Sequence, residues 1–176
     1  MKKVILVTGG ARSGKSRYAL EYVSAKKRKA FIATATAFDK EMSERITKHR
    51  EERSKDFLTI EEPIDLAKAL RSLPRDTDVV VVDCLTVWMG NLLHRDGAGG
   101  RHQLEIEDLL EVLRSPPCEV ILVTNEVGMG IVPDNEMGRY FRDIAGSVNA
   151  RVAQIADTVV LLVSGVPLII KGKGSQ

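Results

Sequence analysis

Residues 2–16, KKVILVTGGARSGKS, constrain the fold more than any other stretch of the chain. Val4 to Val7 is a short apolar run rich in β-branched residues, the signature of a buried strand. It leads directly into Gly9-Gly10-Ala11-Arg12-Ser13-Gly14-Lys15-Ser16, which fits the P-loop pattern G-x-x-x-x-G-K-[ST]. Helix-compatible residues follow from Arg17. The glycines let the backbone curl so that several N–H groups converge on phosphate oxygens. The start of the helix adds its positive end to the same anion. Lys15 is of a length to reach the β- and γ-phosphates, and the Ser16 hydroxyl is a candidate Mg²⁺ ligand. A strand–loop–helix unit of this kind predicts nucleoside triphosphate binding.

The chain's 176 residues suffice for one domain with a buried core, residues 1–176. A net charge of +2 gives no electrostatic case for nucleic acid or a membrane surface. No apolar run approaches the roughly 18 residues of a membrane span, so no membrane insertion is expected. The N-terminus reads as a strand rather than a signal peptide. Cys84 and Cys118 have neither metal nor redox spacing and are expected as reduced thiols of a cytoplasmic protein.

Along the chain, strands alternate with helices. A helix is expected from Ser16 to about Lys26, followed by the basic turn Lys26–Lys29, which reads as a solvated charge run or a phosphate-facing patch. Ala30 to Ala35 reads as a strand whose polar end, Thr34-Ala35-Thr36, reaches the ligand-binding carboxyl edge of the sheet. A charged helix is expected over 39–55, then a short strand over 59–62 and a helix opened by Pro63 that buries Leu66, Ala69, Leu70 and Leu73. Asp78–Asp83, DVVVVD, is the clearest buried strand. Further helices are expected over 85–94, 103–113 and 136–156, the last with a weak point at Gly146. Further strands are expected over 119–124, 158–163 and 168–171, the last pair joined by a turn at 164–167. Continuously apolar strands mark a P-loop NTPase-like, mostly parallel α/β sheet with helices on both faces. The C-terminal pair reads as an antiparallel edge hairpin.

Asp83 closes a run of four valines, where P-loop proteins place the Walker-B carboxylate that holds Mg²⁺ directly or through water; its alternative role is to cap the next helix. His49 lies among Lys48, Arg50, Glu51, Glu52 and Arg53, surroundings that suit either a surface residue or a nucleophile flanked by cations. His94 and His102 border the glycine-rich loop 96–100 and are expected to be exposed. Asn125–Pro133, with Gly128 and Gly130, is a tight loop or a ligand-approach loop at a strand's carboxyl end. Trp88, Met89 and Leu92 are expected in the core.

Taken together, ILVTGGARSGKS (5–16), FIATATAFDKEMSERITKHREER (31–53), TIEEP (59–63), VVVDCLTVWMGNLL (80–93), ILVTNEVGMGIVP (121–133), FRDIAGSVNARVAQIAD (141–157) and LLVSGVPL (161–168) resemble one family. It is the bifunctional adenosylcobinamide kinase / adenosylcobinamide-phosphate guanylyltransferase family of cobalamin biosynthesis. The resemblance implies two reactions. A nucleoside triphosphate, GTP or ATP, phosphorylates adenosylcobinamide. GTP then transfers GMP to an enzyme histidine, and GMP passes to adenosylcobinamide phosphate, giving adenosylcobinamide-GDP. By the same resemblance the guanylylated histidine falls on His49. Nucleotide contacts fall on Gly9 to Ser16, Thr34 to Thr36, Arg50, Glu51, Glu52, Arg53, Glu61 and Asp83. Some members carry a second histidine just before the nucleophile, where this chain has Lys48. A homotrimer is also implied. The competing readings are an enzyme retaining one of the two activities and a nucleotide-binding module without turnover.

Overall fold

The computed structural model describes residues 2–36, 56–97, 100 and 102–172. Its elements in chain order are β1 (Val4–Gly9), α1 (Lys15–Tyr22), β2 (Lys29–Ala33), β3 (Phe57–Glu61), α2 (Leu66–Arg71), β4 (Val79–Asp83), α3 (Leu85–Asp96), α4 (His102–Arg114), β5 (Glu119–Val123), α5 (Glu136–Ile155), β6 (Thr158–Val163) and β7 (Val166–Lys171). The strands form one sheet in the order β3-β2-β4-β5-β1-β6-β7. All neighbouring pairs are parallel except β6 with β7. The mostly parallel sheet and its antiparallel C-terminal edge therefore stand as the sequence led one to expect.

The continuous apolar runs have a direct cause. Successive side chains in a strand point to opposite faces, and here both faces are covered. Val80 and Val82 of β4 pack with α2, α3, α4 and α5 on one side, whereas Val79 and Val81 pack with Ala19 and Val23 of the α1 region on the other. Each of these four valines is fully buried, a contribution of about 1.5–3 kcal/mol apiece. Trp88, Met89 and Leu92 lie in the core of the four-helix face, and the Trp88 indole N–H donates to the Ile64 carbonyl at 2.6 Å.

Several boundaries differ from expectation for identifiable reasons. α1 stops at Tyr22 rather than Lys26. α2 begins at Leu66 rather than at Pro63; the Glu62 carboxylate instead accepts from the backbone N–H groups of Ile64 and Asp65, fixing 62–65 as a turn. β2 ends at Ala33: the Thr34 N–H makes the last ladder bond, to the Asp83 carbonyl, and beyond it the Thr34 hydroxyl rather than a strand backbone takes the N–H and carbonyl of Cys84. α5 runs unbroken through Gly146. The hairpin turn is two residues, Ser164-Gly165, both with positive φ (50° and 84°), the requirement of a type I′ turn whose twist suits a hairpin. Pro167 consequently lies within β7, tolerated because that strand is the sheet's edge.

The basic turn sits at the amino edge of the sheet, the end opposite the P-loop. There Lys26 pairs with Glu119 at 2.6 Å and Lys29 lies over the Phe57 ring, which disposes of the phosphate-facing alternative. His102 is not exposed as expected but buried, with Nε2 3.2 Å from the Tyr140 hydroxyl. It opens α4, so the fold draws it against α5 instead of leaving it on the loop.

Candidate active site

Five strands of the sheet deliver polar residues to its carboxyl edge. At the end of β1 the backbone turns sharply at Gly9, with φ 141°. A Cβ placed there would meet the Leu162 carbonyl oxygen at 2.4 Å, so no other residue fits between β1 and β6. The loop then closes on itself: Ser13 N–H donates to Gly10 C=O at 3.3 Å, and Gly14 takes φ 93° immediately before α1. Gly10, Ala11 and Arg12 lie exposed on its rim. Its outer flank is buttressed by the β6–β7 turn, where Gly165 N–H donates to the Ser13 carbonyl at 3.1 Å.

The Lys15 side chain is buried inside this curl, its ammonium donating to the Gly10 carbonyl at 2.5 Å. Burial pushes the ammonium's pKa down from its ordinary value, and nearby Cys84 and Asp83 draw it part of the way back. Ser16, half-buried in the first turn of α1, and Asp83, half-buried at the end of β4, supply a hydroxyl and a carboxylate. These are hard oxygen donors. Among the described residues no group of three or more His, Cys, Asp or Glu could hold a metal ion. The set therefore suits a cation that takes most of its ligands from phosphate and water, as Mg²⁺ does.

Asp83 does not cap α3. That role falls to Cys84, whose Sγ accepts from Val87 N–H at 3.4 Å. Burial pushes the Cys84 thiol up to about 11, with Asp83 adding to the effect. The turn between β4 and α3 is held from β2. The Thr34 hydroxyl donates to the Cys84 carbonyl at 2.9 Å and accepts from the Cys84 N–H at 2.8 Å. Thr34 is fully buried and its hydroxyl is already engaged, whereas Thr36, two residues further along, has a buried hydroxyl without a hydrogen-bond partner among the described residues. Ala35 is half-buried between them, and Glu61 is exposed at the carboxyl end of β3. β3 lies four strands from β1, about 19 Å at the usual strand spacing. Glu61 therefore lies well away from the P-loop along the same edge. His49, Arg50, Glu51, Glu52 and Arg53, with the helix expected over 39–55, lie outside the described residues.

The loop after β5 carries polar residues that sequence reasoning left unassigned. Thr86, Thr124 and Asn149 form a buried chain: Thr86 and Thr124 hydroxyls lie 3.2 Å apart, and the Thr124 hydroxyl donates to Asn149 Oδ1 at 2.8 Å. The same groups hold Asn125, through Asn125 N–H to the Thr86 hydroxyl and Asn149 Nδ2 to the Asn125 carbonyl. Next in the chain, Glu126 accepts the Thr8 hydroxyl at 2.6 Å and donates its own N–H to the Gly9 carbonyl at 3.2 Å. The only sequence signal for this arrangement was the polar terminus of an otherwise apolar strand. Beyond a single 3₁₀ turn, Val127–Met129, the loop runs exposed through Ile131 and Val132.

Solved structures share this architecture. The RadB recombinase matches over 90% of this chain and 73% of its own, with TM-score 0.52 and 19% identity. An ATPase of the type III secretion system of pathogenic bacteria matches over 92% of this chain and 51% of its own, with TM-score 0.58 and 11% identity. The fold is that of the P-loop NTPases. Sequence relatives are more specific. The bifunctional adenosylcobalamin biosynthesis protein CobP of Pseudomonas aeruginosa is 44% identical, covering 96% of this chain and 97% of that protein. The proteins named CobU from Escherichia coli and Salmonella typhimurium are 40% and 41% identical, each covering 96% of this chain and 99% of the relative. Residues 5–170 match the model of the CobU family, and the chain belongs to that family, cobinamide kinase / cobinamide phosphate guanyltransferase.

Proposed function

We infer that this protein is the bifunctional enzyme its family describes. It phosphorylates adenosylcobinamide and then links GMP to the phosphate through an enzyme-bound guanylyl group. The observation that carries the reading is the carboxyl edge of the sheet, where the glycine-lined curl around Lys15 adjoins Asp83, in a chain matching the family model over residues 5–170.

In the kinase step the curled backbone and the N-terminus of α1 receive the phosphates. Lys15 exchanges the Gly10 carbonyl for phosphate oxygens, regaining a full charge partner. The Ser16 hydroxyl and Asp83 would hold Mg²⁺, which supplies neutralisation of charge on the transferring group. Thr36, Ala35, Arg50, Glu51, Glu52, Arg53 and Glu61 are assigned to the nucleotide. Thr34 is assigned to holding the turn that presents Asp83.

In the guanylyl step a ring nitrogen of His49 attacks the α-phosphorus of GTP. The new N–P bond forms as the bond to the bridging oxygen breaks and pyrophosphate leaves. A phosphate oxygen of adenosylcobinamide phosphate then displaces His49. The intermediate divides one hard displacement into two easier ones.

The reactions belong in the cytoplasm, where triphosphates are supplied. A homotrimer is the assembly we assign, supported by the exposed apolar side chains of the edge strand β7, among them Val166, Leu168 and Ile170. Light scattering on the purified protein gives the assembly mass directly.

The activity is tested by supplying adenosylcobinamide, GTP and Mg²⁺ and following the corrinoid by mass spectrometry. Adenosylcobinamide phosphate followed by adenosylcobinamide-GDP is the expected sequence. GTP binding without either product would reduce the protein to a nucleotide-binding module, and undiminished turnover in excess chelator would remove the metal from Ser16 and Asp83.

A further inference from the structure

The kinase step leaves one chemical task without a residue. The acceptor is a neutral hydroxyl, which must lose its proton as it attacks the γ-phosphorus. Lys15 is a cation, Asp83 is committed to the metal, and Glu61 ends a strand four positions from β1.

The sheet order supplies a candidate. β5 lies between β1, which carries the P-loop, and β4, which carries Asp83. The register is definite: Val123 is aligned with Val7 on one side and with Asp83 on the other. Whatever follows Val123 therefore emerges between the phosphate cradle and the metal-site carboxylate. The third residue on is Glu126.

Glu126 is held in a defined pose. Its N–H is tied to the Gly9 carbonyl and its Oε1 to the Thr8 hydroxyl at 2.6 Å. Asn125, just before it, is fixed by Thr86 and Asn149. Oε2 makes no hydrogen bond among the described residues, and the side chain is half-buried rather than solvated. A carboxylate with one oxygen anchored and the other open at the reaction edge has the preorganisation a proton acceptor needs.

We propose that Glu126 is the general base of the phosphoryl transfer, accepting the proton of the adenosylcobinamide hydroxyl on Oε2. The hydroxyl oxygen forms a bond to the γ-phosphorus, the bond from γ-phosphorus to the β–γ bridging oxygen breaks, and the nucleoside diphosphate leaves. The proton passes to Glu126 and then to water. The proposal rests on the kinase reading above. It also explains why Thr8, the residue just before the P-loop, is hydroxylated and buried: its O–H holds the base in register with the cradle.

The test compares wild type with Glu126→Gln and Thr8→Val in the kinase reaction. Glutamine keeps an oxygen to accept from Thr8 and removes only the basicity. Kinase kcat should fall about 10²–10⁴-fold in Glu126→Gln, the usual range for loss of a general base. Triphosphate Kd, measured by calorimetry, should stay within about threefold, because the carboxylate acts on the acceptor side. Thr8→Val should show a smaller kcat loss of about tenfold, since it loosens the base without removing it. A kcat loss below about tenfold in Glu126→Gln would overturn the proposal. So would an equal loss of triphosphate affinity, which would make Glu126 a brace for the P-loop. A wild-type protein without kinase activity would remove the underlying reading and the proposal with it, whereas an active wild type beside an equally active Glu126→Gln removes the proposal alone.

Discussion

Thr34 binds both backbone groups of Cys84: its hydroxyl donates to the carbonyl and accepts from the N–H, across 50 residues of sequence. One buried side chain of β2 thereby fixes the turn that carries Asp83 out of β4. The Thr34 carbonyl is itself bound by Asn91 Nδ2 at 2.7 Å, which ties α3 to the same point.

Thr34→Val keeps the shape and removes the hydroxyl. The Cys84 N–H then lacks a partner, while the Cys84 carbonyl keeps the Trp88 N–H of α3 at 3.1 Å, so the cost is about 1–3 kcal/mol before relaxation. Denaturant unfolding should show a clear stability loss, and both reactions should weaken as Asp83 shifts. Wild-type stability in Thr34→Val would mean that these hydrogen bonds do not hold the turn.

Burial lowers the pKa of Lys15, so folding works against its charged form. The unfolded chain then binds more protons than the native one between the lowered native value and the ordinary lysine value, and stability contributed by this group rises with pH across that window. Below it, the buried charge is a cost. Lys15→Met should therefore leave the nucleotide-free protein as stable as wild type or more so at pH 7, while reducing triphosphate affinity by about two orders of magnitude. Melting curves without nucleotide, paired with calorimetric titration, check both halves. A destabilised Lys15→Met would show that the ammonium's bond to Gly10 outweighs its desolvation.

The two thiols are both pushed up to about 11, chiefly by burial. Thiolate is the reactive form, so native protein at pH 8 should react with a thiol reagent far more slowly than free cysteine does. Denaturation should release two equivalents, from Cys84 and Cys118. Rapid titration of either thiol in native protein would contradict the packing around β4 and β5.

Much of this was legible in the chain because local chemistry and global fold agree. Val4–Val7 and Asp78–Asp83 read as strands buried on both faces, and Val4–Val7 and the four valines Val79–Val82 are, with Asp78 left exposed before the strand. The P-loop glycines announced their own backbone. What stayed hidden depended on contacts between distant segments. Thr34 looked like a ligand residue because it sits at the right edge, yet its hydroxyl is spent on Cys84. Asp83 left a cap and a metal site as alternatives until Cys84 proved to be the cap. His102 looked exposed beside a glycine-rich loop, but Tyr140, 38 residues away in sequence, buries it. Glu126 drew no notice because nothing nearby in sequence reveals that β5 inserts between β1 and β4. His49 was singled out by the family resemblance and not by its surroundings, where a charged helix reads as a solvated face.

The account turns on a covalent step at His49, so the most direct measurement is labelling of the polypeptide. Protein is incubated with α-labelled GTP and Mg²⁺, quenched in denaturant and separated from free nucleotide. The account predicts label that survives alkali, is lost in acid as a phosphoramidate should be, and is absent in His49→Ala, which still phosphorylates adenosylcobinamide. An unlabelled wild-type protein that binds GTP, or a His49→Ala variant that labels as wild type does, would contradict it.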